Sequence, residues 1–336
     1  MRQFFIIILA LILTTVEGKA TKYKDYIISN NYIWGLTSEG AINFFEVSTG
    51  KRVKKKISNS YRVKILTLDN DGVPTVLDGL GRVKKYNSNE NSWVTILKCD
   101  EEISAILFDS KGICYAITEG GILDVSANKK YFGKNSLNHQ INFKEGWGAP
   151  SCYFIDKRDN IWLGFGFGEW GGELIVFNTV SKEFITPALN NFRISLWPIK
   201  SFFQDSSGVY LSAGLMHFST SGIIVKFENF KATILFDSHI DGEYMGPATF
   251  NSFDNSIYFY SHNGIFRGSK TKDLSKIENW EKILQPKLRW KNGQQDAVGS
   301  PMNVFKLTCI DENQLVFLSQ NDGIGFFHDK ELTMLH

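Results

Sequence analysis

Long hydrophobic runs are almost missing from this sequence. The only one extends from Phe4 to Leu13, after a positive start at Arg2 and before the small residues Gly18 and Ala20. This order is typical of a secretory signal peptide, and the apolar core is well short of the about 20 residues that a membrane-spanning helix needs. We therefore expect residues 1–20 to be a signal peptide, the mature chain to be exported to the periplasm or beyond, and no stable membrane anchor.

Cysteine is scarce, and neither sign of charge is in excess. Cys99, Cys114, Cys152 and Cys309 lack the close spacing of a disulfide-stapled small domain, so we expect buried free thiols. The 37 Lys and Arg residues against 35 Asp and Glu give a formal net charge of +2. Such a balance gives no electrostatic reason to expect a nucleic-acid partner.

Sequence motifs of catalysis and metal binding are also missing. No His-Glu-x-x-His, Cys-x-x-Cys or nucleophile-elbow pattern occurs. The acidic run from Asp69 to Gly72 lacks the remaining ligands of a calcium loop. The sequence therefore predicts no metal site and no cofactor, and it indicates an enzyme less than a binding protein.

A repeat is what the sequence does have. A polar turn of Asp, Asn and Gly, followed by an aliphatic and usually an aromatic residue, occurs seven times. The aliphatic positions are Ile33, Val73, Ile113, Ile161, Val209, Ile257 and Leu315. Their regular spacing, with four strand-sized apolar runs in each unit, is the pattern of a propeller blade.

The repeat predicts an all-β fold, a seven-bladed β-propeller with four-stranded antiparallel blades, that occupies residues 21–336 as a single domain. Pro74 makes the second blade the weakest prediction, because proline is poorly tolerated within a strand. Residues 22–28 and 330–335 could close the ring in more than one register.

The turn Asp-x-x-Gly/Asn-Ile/Val-Trp/Tyr-Leu is clearest in Asp156–Gly164 and Asp205–Ser212. It resembles the repeat of the two-component regulator propellers, which are extracytoplasmic sensor domains of hybrid histidine kinases and stand-alone exported proteins. The resemblance covers most of the mature chain and implies the stand-alone exported form. It implies a fold more strongly than an activity.

Propeller geometry separates two faces, because the loops between blades and the hairpins between second and third strands open on the same side. On this inter-blade face we expect a ligand-binding channel mouth, where aromatic residues are typical interaction anchors. The candidate residues are Trp147, Glu169, Trp170, Trp197, His217, Tyr244, Met245, His262 and Asp296. Packing between blades is an equally weighted explanation for Trp147, Trp197 and Tyr244.

These observations predict an exported, non-enzymatic propeller, monomeric, that binds a protein, peptide or glycan through its inter-blade face. A lyase or hydrolase that uses the rim histidines and carboxylates is the alternative, and the catalytic residues stay unassigned. Seven basic residues lie in the first two blades: Lys51, Arg52, Lys54, Lys55, Lys56, Lys84 and Lys85. We interpret this basic cluster as protection of outer strand edges rather than as a surface for an anionic partner.

Overall fold

The computed structural model describes residues 21–58, 61–133, 149–216, 219–239, 242–288 and 304–336. These residues form seven four-stranded antiparallel sheets, and in each sheet the strands are hydrogen-bonded in chain order. The sheets stand in a ring, so the chain is a seven-bladed β-propeller. The fold class predicted from the repeat is confirmed, whereas residues 1–20 lie outside the described part of the chain.

Twenty-eight strands build the blades, four from each successive stretch of sequence. Blades one to three contain β1 to β12: Tyr23–Ser29, Tyr32–Thr37, Ile42–Glu46, Arg52–Val53; Val63–Leu68, Pro74–Asp78, Arg82–Asn87, Ser92–Lys98; Ile103–Phe108, Cys114–Thr118, Gly121–Asp124, Lys129–Tyr131. Blades four and five contain β13 to β20: Cys152–Ile155, Asn160–Gly166, Gly172–Asn178, Glu183–Ile185; Ile199–Gln204, Val209–Met216, Thr220–Glu228, Lys231–Asp237. Blades six and seven contain β21 to β28: Ala248–Asn251, Ser256–Ser261, Gly264–Ser269, Trp280–Leu284; Val304–Cys309, Gln314–Ser319, Gly323–His328, Glu331–Leu335.

Regular helix is nearly missing from the described residues. Three single turns of 3₁₀ helix occur, at Gly168–Trp170, Ile194–Leu196 and Ile277–Asn279. No helix within the described ranges has the length and apolar character needed to cross a membrane. The first 3₁₀ turn forms the tip of the hairpin between β14 and β15 and therefore lies on the inter-blade face.

The hydrophobic core lies between the blades rather than in one central mass. Adjacent blades share apolar clusters all the way around the ring, including one between the last blade and the first. In the wedge between blades one and two, Trp34 packs edge-on against Phe44, Tyr86 and Trp93 at ring-centroid distances of 4.7, 5.1 and 6.2 Å. Edge-to-face contacts of this kind add stabilisation beyond the buried area.

Buried aspartates fix the turns that lead from first to second strands. Asp156 accepts hydrogen bonds from the backbone N–H groups of Arg158 (2.8 Å) and Asn160 (2.9 Å), and from the Trp162 indole (2.9 Å). Asp69 and Asp109 hold their turns through similar backbone bonds. The repeated motif is therefore structural, since a short acidic side chain satisfies backbone donors that the turn leaves unpaired.

The ring closes without an exchanged strand among the described residues, because blade one is built from β1 to β4 and blade seven from β25 to β28. The contact is made by side chains: the Tyr26 hydroxyl donates to the Val316 carbonyl, and Lys306 Nζ donates to the Tyr26 carbonyl at 2.7 Å. Pro74 is the first residue of β6, a position where no strand hydrogen bond needs its missing N–H. The second blade is therefore as regular as the others.

Candidate functional site

A β-bulge recurs near the start of the innermost strands. In five blades the pairing between first and second strands skips the second residue of the first strand. The skipped residues are Lys24, Lys64, Ser104, Lys200 and Phe305. A bulge bends the strand and redirects a side chain, and Lys24, Lys200 and Phe305 line the central channel.

The central channel contains a cavity of about 730 Å³, a size that is typical of small-ligand sites. Its walls carry the positively charged side chains of Lys24, Lys157, Lys200 and Lys306, but only one carboxylate, that of Asp25. Asp25 is already paired, because its Oδ1 lies 2.8 Å from Lys306 Nζ. The described wall of the channel is therefore positively charged.

Two of these lysines have a lowered pKa, because their ammonium groups are partly removed from water and have no ion-pair partner. Burial lowers the pKa of Lys200 to about 8. Burial, together with the nearby Arg62 and Lys64, also lowers the pKa of Lys24. Lys24 Nζ has only a long contact of 3.5 Å with the Val63 carbonyl. A bound anion would stabilise the charged form of both lysines and raise both pKa values.

Tyr244 lies next to Lys200, whose Nζ is 6.0 Å from the centre of the phenol ring. The Tyr244 hydroxyl is buried and has no hydrogen-bond partner among the described residues. Burial raises the pKa of this phenol well above its ordinary value, so it stays neutral. The side chain is only 2% exposed, and that of the neighbouring Met245 is fully buried. In this structure neither residue forms an accessible rim.

The hairpin between β14 and β15 carries Trp170, which at 79% is the most exposed aromatic side chain among the described residues. Gly168 and Gly171 have positive φ angles of 64° and 82°, which permit the tight turn at the tip. A Cβ on Gly171 would meet the Ser195 carbonyl at 1.7 Å, so glycine also allows the hairpin to pack against the segment before β17. That segment contains Leu196, which is more than half exposed, and Trp197, which is partly buried against the core between blades four and five.

Exposed apolar residues are concentrated on this same face. The loops between blades and the hairpins between second and third strands hold five large apolar side chains that are more than half exposed: Tyr61, Leu80, Phe132, Trp170 and Leu196. Glu169 lies beside Trp170 and is exposed. Exposed apolar side chains that share one face mark interaction sites more often than apolar residues scattered over the whole surface do.

The predicted histidines do not form a compact acid–base centre among the described residues. A groove of about 480 Å³ includes His239, Glu243 and His262. The Ser261 hydroxyl donates to Glu243 and lies 3.4 Å from His262 Nδ1. His239 Nδ1 is 3.6 Å from Asp237 Oδ1, and its side chain is exposed. In a catalytic serine–histidine pair the acidic residue orients the histidine. Here Glu243 instead accepts a hydrogen bond from Ser261, which is fully buried.

Three of the predicted site residues, Trp147, His217 and Asp296, lie outside the described ranges. The described part of the chain contains no group of three His, Cys, Asp or Glu residues that could hold a metal ion. All four cysteines are free thiols, as predicted; Cys99 and Cys114 are buried, whereas Cys152 and Cys309 are only partly buried.

The basic cluster of blades one and two is split by the fold. Lys84 is buried beside Asp78 at 3.3 Å, and Lys85 pairs with Asp69. The ammonium of Lys55 lies between 4.9 and 5.6 Å from the ring centres of four aromatic residues, namely Tyr32, Trp34, Phe44 and Tyr86. Three of the seven residues therefore have internal partners, and the cluster does not form one cationic surface.

The lysines of the channel were missed by sequence reasoning. Lys24 and Lys200 each follow the first residue of an inner strand, so the signal was a shared position in the repeat. This shared position is not visible when the repeats are aligned on the turn and the second strand, because the lysines lie in the first strand.

Comparison of the sequence with protein-family models and with curated proteins gives no match. Solved structures do match. The fold is similar to the tricorn protease (TM-score 0.58, 10% identity, 94% of this chain and 34% of that chain) and to YCF48 from Cyanidioschyzon merolae (0.56, 12%, 93% and 96%). It is also similar to the extracellular domain of the hybrid two component system BT3049 from B. thetaiotaomicron (0.52, 14%, 92% and 39%). Likeness at these identities shows the fold alone.

Proposed function

We propose that this protein is an exported, non-enzymatic propeller that binds a protein partner through its inter-blade face. The observation that carries the proposal is the concentration of large exposed apolar side chains on that face, with Trp170 at the tip of its own hairpin. Spread over blades two to five, they form a broad surface, which fits a protein better than a small sugar. Tryptophan and its apolar neighbours are frequent anchors of protein interfaces.

The test is affinity capture from the native cell envelope with the wild type and a Trp170→Ala, Leu196→Ala double variant. We expect one partner to be retained by the wild type and lost by the double variant, because the apolar anchor is removed. The matched control is Phe253→Ala, which removes an exposed aromatic residue from a turn on the opposite face. Unchanged capture by the double variant would reject this face, and capture of glycan or peptide alone would reject a protein partner.

Export and kinship to the two-component regulator propellers belong to the same proposal. The order of residues 1–20 supports export, and the likeness of the fold to an extracellular domain of a two component system agrees with it. Full-length expression in a bacterial host should give a mature N-terminus near residue 20, which mass spectrometry of the intact secreted protein measures. A chain that stays in the cytoplasm with residues 1–20 attached would contradict export.

The alternative activity, a lyase or hydrolase, is supported by one observation, the contact of Glu243 and His262 with the same Ser261 hydroxyl in a groove. If the groove is catalytic, Glu243→Gln should abolish turnover of a panel of glycoside, ester and uronide substrates while the fold stays intact. Absence of turnover by the wild type on the whole panel would remove this alternative.

A further inference from the structure

The wall of the central channel carries both positively charged and apolar side chains, and the proposed protein-binding face does not include them. Lys24 comes from blade one and Lys200 from blade five, which lie on opposite sides of a seven-bladed ring. Among the described residues, neither lysine has a carboxylate within ion-pair distance, and the same holds for Arg62 and Lys64 beside Lys24. The cavity therefore holds two ammonium groups without an ion-pair partner, and its one carboxylate, that of Asp25, is paired with Lys306.

Buried or half-buried lysines in folded proteins are usually paired, because taking an ammonium out of water costs free energy that a partner must offset. Here the bulges place two lysines in the channel wall at the same position of the blade, the exposed Lys24 and the half-buried Lys200. The bulge itself does not require a charged side chain, because blade three has the neutral Ser104 at the same position. The lysines therefore point to a ligand that supplies the negative charge.

The rest of the wall indicates what carries that charge. Phe305, at the bulge position of blade seven, is 47% exposed although it faces the channel. Tyr153 and Thr249 also line the cavity. An exposed phenyl ring next to ammonium groups suits an organic molecule with both an apolar or ring-shaped part and an anionic group. The cavity volume of about 730 Å³ admits a small molecule and not a folded partner.

We propose that the central channel is a binding site for a small organic carboxylate. Its charged group lies between Lys24 and Lys200, and its organic body packs against Phe305. The site is separate from the exposed apolar surface of the inter-blade face.

Isothermal titration calorimetry at pH 7 with citrate, D-galacturonate and inorganic phosphate tests the proposal, and D-galactose serves as the uncharged counterpart of galacturonate. We expect at least one of the two carboxylates to bind the wild type with a Kd of about 1 mM or tighter and galactose not to bind. Lys200→Met should weaken that binding by about ten-fold or more, because one of the two opposed charges is lost. Lys200→Arg should retain it.

The matched control is Lys272→Met, which removes an exposed lysine that does not line the cavity. It should leave the affinity unchanged. Phe305→Ala should weaken binding of the organic anion without loss of phosphate binding. No binding by either carboxylate, equal affinity in Lys200→Met, or binding of phosphate alone would overturn the proposal. The Trp170 and Leu196 variant should bind the anion normally, so this site and the protein-binding face can fail independently.

Discussion

A single carboxylate organises each of several turns at the entrance to the second strand. Asp156 is buried, and its two oxygens accept bonds from backbone N–H groups, from the Asn160 amide and from the Trp162 indole. Trp162 is itself one of the largest buried side chains. The acid therefore couples the geometry of the turn to the core between blades four and five.

We expect Asp156→Ala to lower the free energy of unfolding by about 2 kcal/mol or more, because buried donors lose their acceptor. Urea unfolding followed by tryptophan fluorescence measures the change. Asp100→Ala is the control, since the Asp100 side chain is 83% exposed, and it should change stability by less than about 0.5 kcal/mol. A small effect of Asp156→Ala would show that solvent replaces the carboxylate in this turn.

Lys200 makes stability depend on pH in the alkaline range. Burial lowers its pKa from 10.5 to about 8, so between these values the unfolded chain binds more protons than the folded one. The contribution of Lys200 to the free energy of unfolding therefore rises as pH increases from 8 towards 10.5. The neighbouring Cys152 and Tyr244 stay neutral there, because burial raises the pKa of both groups.

Lys200→Met should stabilise the protein at pH 7 by about 1 to 2 kcal/mol, because a largely buried unpaired charge is replaced by an apolar chain of similar length. The difference between variant and wild type should shrink as pH approaches 10.5. Chemical denaturation of the variant and the wild type at several pH values measures the difference, and the comparison cancels pH effects that both proteins share. A difference that is independent of pH would contradict the lowered pKa.

At the scale of the element, the segment after β4 contacts the second blade through a β-bridge between Ser58 and Ser92 and through one cation. β4 has only two residues, Arg52–Val53, and Lys55 follows it into a group of four aromatic rings between blades one and two. A cation over several ring faces is attracted by their quadrupoles. The short outer strand of blade one is therefore anchored through the wedge of the next blade.

Lys55→Met keeps most of the side chain but removes the charge, and it should lower the free energy of unfolding by about 1 kcal/mol. Lys54→Met, at an exposed neighbour, is the control and should be near neutral. Thermal unfolding by circular dichroism compares the two. Equal effects of both substitutions would assign the contribution of Lys55 to its methylene stem alone.

Element by element, the sequence predicted the second strands best. Ile33, Ile161 and Leu315 lie within β2, β14 and β26, because a tight turn requires Asp, Asn or Gly at fixed offsets and these are visible in one dimension. The bulges were not visible, since they depend on how two strands pair. Tyr244 was assigned to the channel mouth from a shared proline position, but burial is decided by the neighbouring blade, which sequence spacing does not show.

At the scale of the whole molecule, the ring depends on contacts between its first and last blades. The Tyr26 hydroxyl of β1 donates to the Val316 carbonyl at 2.9 Å and is also hydrogen-bonded to the Thr308 hydroxyl at 2.9 Å, and Tyr26 is fully buried. Lys306 links the same blades through Asp25. Closure is therefore carried by side chains that come from opposite ends of the sequence.

Tyr26→Phe should lower the free energy of unfolding by about 1 to 2 kcal/mol, because a buried hydroxyl with two hydrogen-bond partners is lost. Tyr32→Phe is the control, since the Tyr32 hydroxyl makes no hydrogen bond with the described residues. Hydrogen exchange should show the loss of protection in blades one and seven first. Uniform loss around the ring would mean that the blades unfold only together.

Each blade is built from one continuous stretch of chain, so no sheet depends on where the chain begins and ends within the ring. Tyr23 and Leu335 pack in the same apolar cluster, so the two ends of the ring are close in space. A short linker between them, with new ends opened in a loop between two other blades, should give a circular permutant that folds to the same ring. The new ends of such a permutant can be chosen so that a fused label lies beside the proposed binding face or away from it.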